Sequence, residues 1–143
     1  MVRASEPFRP TFEYSGRPVV LSAITAIVLS GVAILLLHRP AWILPIGFLA
    51  GGVAAAAGGY YDAPANNGFI GVLIALFPIY LFAFLYRVWF FTPGATDGDT
   101  LFFGAVLAVV DLVVYGPLML LMAYLGGIVV DYLRRRFDAP LGY

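Results

Sequence analysis

Apolar side chains occupy this chain in four long blocks separated by three short polar breaks, a pattern that predicts four membrane-spanning helices. The first block, residues 18–37, holds about 20 residues and at 1.5 Å rise covers roughly 30 Å, the thickness of a hydrocarbon core. Pro18 suits its first turn, where a missing N–H costs nothing. Ser22, Ala26 and Ser30 recur every fourth position and make a seam of small side chains, expected to meet the second helix. His38-Arg39-Pro40 then allows only a tight reversal, so the second block, 41–61, runs antiparallel to the first. Trp42 falls at one interface and Tyr60 and Tyr61 at the other. A polar break at 62–67 ends on Asn67, placed to cap the third block, 68–91, which Pro78 should kink. After a turn-rich break at 92–100, with Asp99 or Thr100 as cap, the fourth block runs from 101 to 130. Thirty helical residues measure about 45 Å, too long for a straight span, so this helix is expected to bend or protrude. Gly116-Pro117 is the expected bend, because proline deletes the bond to the Val113 carbonyl.

The second block is unusual within this pattern. From Gly47 to Gly59 only Phe48, Leu49 and Val53 carry side chains larger than a methyl. A helix this bare offers lipid little surface and lets neighbouring backbones come close, so it reads as the packing axis of the bundle. Gly47 and Gly51, continued by Ala54 or Ala55 and Gly58, form a small-residue ridge. Such a ridge packs either against its own neighbours or against a second copy. The predicted fold is therefore all-α, a polytopic up-down bundle of four helices forming one transmembrane domain over 18–133. Polar tails flank it at 1–17 and 134–143. Residues 1–17 lack the compact apolar run of a signal peptide and read as a surface-lying tail.

Composition agrees with this class. Of 143 residues, 62% are hydrophobic and 11% charged, and the mean hydropathy of +0.95 does not fit a soluble domain of that length. With no cysteine, disulfides, thiolate metal sites and cysteine nucleophiles are excluded. The net charge of zero gives no electrostatic case for nucleic acid, leaving the lipid bilayer, a second copy or another membrane protein as partners. All eight basic residues are arginine. Arg3, Arg9, Arg17, Arg134, Arg135 and Arg136 flank the bundle on the terminal side, against Arg39 and nearby Arg87 on the other. The positive-inside rule then places both termini in the cytoplasm and the protein in the cell membrane.

One residue raises a chemical question. Asp111 lies about ten residues into the last apolar block, near the bilayer midplane, where an ionised carboxylate costs at least ~2.5 kcal/mol. It should face the interior with a partner or be protonated. Arg87, one turn inside the end of the third block, is the candidate partner, and Tyr115, four residues after Asp111, is placed to donate a hydrogen bond. Beside a helix broken at Gly116-Pro117, the three residues read either as a structural ion pair or as a proton or cation site. A third reading gives Asp111 an arginine of a partner subunit. Asp97-Gly98-Asp99 lacks the remaining ligands of a calcium loop and reads as a turn, and His38 is a lone histidine in a loop. Arg134-Arg135-Arg136 suits anionic lipid or simply sets topology. No nucleotide loop, zinc motif, catalytic triad or glycosylation sequon is present, so neither metal nor cofactor is expected.

At residues 47–59, followed by Tyr60-Tyr61-Asp62 and then Gly68-Phe69-Ile70-Gly71, the chain resembles small glycine-rich, four-helix membrane proteins of unknown function from halophilic archaea. The resemblance covers mainly 41–91 and implies no site residues. Together these features lead to an expected non-enzymatic membrane protein, a structural or accessory subunit or self-associating bundle. The alternative is a small proton- or cation-coupled transporter or channel using Asp111.

Overall fold

The computed structural model describes residues 14–37, 43–58, 63–91 and 98–138. Within them the protein is all-α, with four helices: α1 Gly16–Leu37, α2 Ile43–Ala57, α3 Pro64–Phe91 and α4 Gly98–Asp138. Each boundary has a local cause. Ser15 is the N-cap of α1, its carbonyl accepting the Val19 N–H at 3.2 Å. Pro64 opens α3 four residues earlier than the glycine pattern suggests, since proline is pre-set for a first helical position, and Asn67 N–H makes the first rung to the Ala63 carbonyl. Asp99 falls in the first turn of α4 and Arg135 and Arg136 in its last, both favourable to the helix dipole.

Three helices, α1, α3 and α4, are long and apolar enough to cross a membrane. α2 is not. Its 15 residues measure about 22 Å, short of a hydrocarbon core. Residues 41–42 and 59–61, expected to complete this span with Trp42, Tyr60 and Tyr61, lie outside the described residues, as do His38, Arg39 and Asp97. α4 is longer than expected: its 41 residues run unbroken through Gly116 and Pro117 for about 61 Å. α3 likewise continues through Pro78. The excess length of α4 is taken up by protrusion, since Gly127 lies against Ala65 at the start of α3 and residues 128–138 continue for about another 16 Å.

Contacts between helices fix their directions. Gly47 and Gly51 of α2 lie against Met119 and Ala123 of α4 in matching order, so these two are parallel. Asn67 of α3 holds Ser15, and one turn on Gly71 lies against Val19 and Ser22, so positions advance in the same sense along α3 and α1 and that pair is parallel too. α3 and α4 are antiparallel, Gly116 approaching Leu76 and Gly104 approaching Phe84 and Val88. The result is an up-down-up-down bundle in which α2 and α3 each touch every other helix. Among the described residues α1 and α4 do not meet. The cross-section is thus a diamond, with α2 and α3 on its short diagonal.

The core is built from small side chains, Ala26, Ala50, Ala75 and Ala123 among them, around Val72 and Met119. Its tightest point is the α2–α4 seam. A β-carbon on Gly51 would collide with the Ala123 carbonyl, and one on Gly126 with that of Phe48. The glycine ridge of α2 is therefore used inside one chain, with Ala54, Ala55 and Gly58 also buried. Ser22, Ala26 and Ser30 are fully buried, but the Ser22 hydroxyl donates to the Gly68 carbonyl at 3.4 Å. That end of the seam faces α3 and not α2, because α1 lies parallel beside α3.

Candidate functional site

Asp111 and Arg87 come together across the α3–α4 contact, with guanidinium Nη2 to carboxylate Oδ2 at 2.6 Å. Their backbones are not level. Register along the antiparallel pair places Asp111 beside Tyr80, about 10 Å along the axis from Arg87. Side chains in a helix lean toward its N-terminus. In antiparallel neighbours those leans converge, so Arg87 reaches back down α3 while Asp111 reaches forward toward the start of α4. The Tyr80 hydroxyl donates to the Asp111 backbone carbonyl at 3.2 Å, a second tie between the helices at this depth. Tyr115 lies one turn on, half-buried, and makes no hydrogen bond to Asp111. Gly116 is buried, with Leu112 and Leu76 beside it, while Pro117 is exposed.

Neither charged side chain is sealed in. Arg87 is 33% exposed and Asp111 23%, and the α2 register explains why. Gly47 meets the Met119 carbonyl while Gly126 meets that of Phe48, a register in which α2 begins level with about Leu118, roughly two turns short of Asp111. Residues 98–114 of α4 therefore have only α3 beside them among the described residues. Chemically, the arrangement is a closed salt bridge with one tyrosine support. No group of three or more His, Asp or Glu side chains that could hold a metal occurs among the described residues.

Two further polar residues tie helix ends across the bundle. Arg134 of α4 donates through Nη1 to the carbonyls of Gly58 at 2.6 Å and Ala55 at 3.3 Å. These are the orphan carbonyls that end α2, and a cation there also complements the dipole. Asn67, expected to cap α3, lies inside that helix; its Oδ1 accepts the Ser15 N–H at 2.8 Å and caps α1. Arg135 pairs with Asp131 one turn back at 2.9 Å. The Arg134 role had one trace in the sequence. The last turn of α2, Ala54–Gly58, has no side chain able to satisfy its own carbonyls, so a donor must come from elsewhere.

No family model matches the chain, and neither a curated protein nor a solved structure resembles it significantly.

Proposed function

We propose that this chain is a non-enzymatic, multi-pass protein of the cell membrane with both termini cytoplasmic, working as a structural or accessory helical subunit. The observation that carries this reading is the Arg87–Asp111 bond. The carboxylate placed deepest in a long apolar helix is already matched by a cation of the same chain. A charge pair closed at 2.6 Å holds the outer half of α4 against α3, where no other described helix lies beside it, and leaves little of its chemistry for turnover. Orientation follows from Arg17 and Arg134–Arg136, gathered at one end of the bundle. The exposed apolar face of α4, including Phe102, Val106, Val109 and Val113, is available to lipid or to a neighbouring subunit.

A second reading has one observation in its favour: the 23% exposure of the Asp111 side chain leaves it a route to a proton or cation. Purified protein in liposomes separates the two. As a structural subunit, neither the parent nor Asp111→Asn carries a proton or cation flux, and mild-detergent purification brings down a stoichiometric partner or a defined self-assembly. A flux in the parent that Asp111→Asn abolishes, with the helical content unchanged, replaces the structural reading with a small transporter or channel.

A further inference from the structure

We propose that α4 pairs in parallel with α4 of a second copy of this chain, through the face it turns away from the bundle. The proposal rests on the structural-subunit reading above and deepens it by naming the partner and the surface. α4 is the least covered of the three long helices: of an 18-residue apolar stretch in each, 11% is buried in α4, against 33% in α1 and 39% in α3. Met119, Ala123 and Gly126 take one side of α4 against α2. On the opposite side Leu118, Leu121, Leu125, Ile128 and Tyr132 are each between 40% and 60% exposed. Their spacing of three, four, three and four residues is a heptad seam, with Leu118, Leu125 and Tyr132 at a and Leu121 and Ile128 at d.

Lipid accounts for only part of this face. Exposed large apolar side chains run along α4 from Leu101 to Phe137, about 54 Å of helix. At a usual tilt near 20° that length rises about 51 Å, against roughly 30 Å of hydrocarbon and about 40–45 Å with the headgroup layers. Asp131, Arg134, Arg135 and Arg136, four charges in six residues, put the surplus at the carboxyl end, outside the hydrocarbon. Tyr132 and Phe137 are nonetheless exposed there, and the seam runs into Tyr132 from within the bundle. A helix lying alongside covers the stripe on both sides of that boundary, which acyl chains do not. Charge selects a second copy as that helix. In the same heptad Asp131 is at g and Arg136 at e, and in a parallel pair each g faces the e of the next heptad on the other helix. Asp131 of one copy thus faces Arg136 of the other, and two-fold symmetry repeats the match. Arg136 is exposed, and Asp131 keeps 23% of its side chain exposed while bonded to Arg135. Ion pairs this exposed set register and orientation more than they stabilise, so the apolar seam holds the dimer.

The chain has no cysteine, so single introduced thiols report the interface. In native membranes oxidised with copper phenanthroline, Ile128→Cys and Leu121→Cys form disulfide dimers about tenfold more than Phe77→Cys on α3 or Phe137→Cys, off the seam on α4. Both control positions are more exposed, at 77% and 79%, so random collision would favour them. In the Ile128→Cys background Asp131→Arg lowers the dimer about fivefold, and adding Arg136→Asp restores it to within about twofold. Circular dichroism checks that each variant is folded, and Leu121→Cys is the second variant if Ile128→Cys is not. No dimer at either seam position overturns the second copy: labelling of Leu121→Cys by a lipid-soluble maleimide then assigns the face to lipid, and protection assigns it to a different protein. Equal dimer yields at the two control positions overturn a specific contact, and a charge exchange that restores nothing overturns the parallel register. Flux in liposomes keeps the two claims apart. A dimer with an Asp111-dependent flux leaves the interface standing and overturns the structural reading; absence of both dimer and flux overturns the interface alone.

Discussion

Replacing Gly51 with alanine tests whether backbone proximity organises the bundle. The added methyl would run into the Ala123 carbonyl oxygen, with the carbonyl carbon at 2.7 Å and Cα at 2.9 Å. Ordinary contact begins near 3.4 Å, so clearing the carbonyl carbon alone needs about 0.7 Å of separation between α2 and α4, and the nearer oxygen needs more. The obstacle is backbone, which has no rotamer to retreat into. A gap of that size forfeits about a quarter to a half of each dispersion contact along the seam, including Gly47 on Met119 and Phe48 on Gly126. Overpacking of this kind costs about 1–3 kcal/mol, from which a helix-propensity gain of up to ~1 kcal/mol is subtracted, leaving a net loss of about 1–2 kcal/mol. Gly31→Ala is the matched control. It also lies inside a helix, but its β-carbon meets nothing within 4 Å, so the same substitution should be neutral or stabilise by up to ~1 kcal/mol. Reversible unfolding in mixed micelles at rising sodium dodecyl sulfate, followed by circular dichroism, measures both. Opposite signs are expected. A Gly51→Ala protein as stable as the parent, or an equal loss in Gly31→Ala, would refute the claim that close approach and not glycine flexibility is what the ridge provides.

Arg134→Gln removes the charged donor from the Ala55 and Gly58 carbonyls and should cost about 1.5–3 kcal/mol, while Arg136→Gln costs nothing measurable; faster amide exchange confined to the end of α2 is the signature. A double-mutant cycle of Arg87→Gln and Asp111→Asn should give a coupling free energy of about 1–3 kcal/mol by the same unfolding assay, and additive effects would mean the pair holds nothing together.

Neighbour-independent features of this fold were legible from sequence, and cross-helix ones were not. Helix number and order follow from apolar run lengths against three polar breaks, because burial of backbone in a long apolar stretch admits little besides helix. The ion pair was also legible: a lone mid-helix carboxylate demands a cation, and Arg87 is the only arginine within a long apolar block. What hydropathy does not measure is where a helix ends. The described part of α2 stops short of a full span although its apolar run continues, and α4 overruns its run by carrying Asp131–Arg136 as ordinary helix. Asn67 and Arg134 show the same limit. Each has an obvious local reading, a cap for α3 and a topology charge, and each is instead used on a helix start or end more than fifty residues away in the chain. Both of these ties cross a parallel pair, α3 to α1 and α4 to α2. Parallel helices in an up-down bundle cannot share a tight loop, so their relative height is not set by the connection between them. A side chain from one helix that caps the end of its parallel neighbour sets that height directly. Asn67 thereby fixes where α1 begins against α3, and Arg134 fixes where α2 ends against α4. With α2 held at that height, its glycines meet the Met119 and Ala123 carbonyls, and its start falls about two turns short of Asp111. The exposure of the charged pair is thus a consequence of a cap on the far side of the bundle.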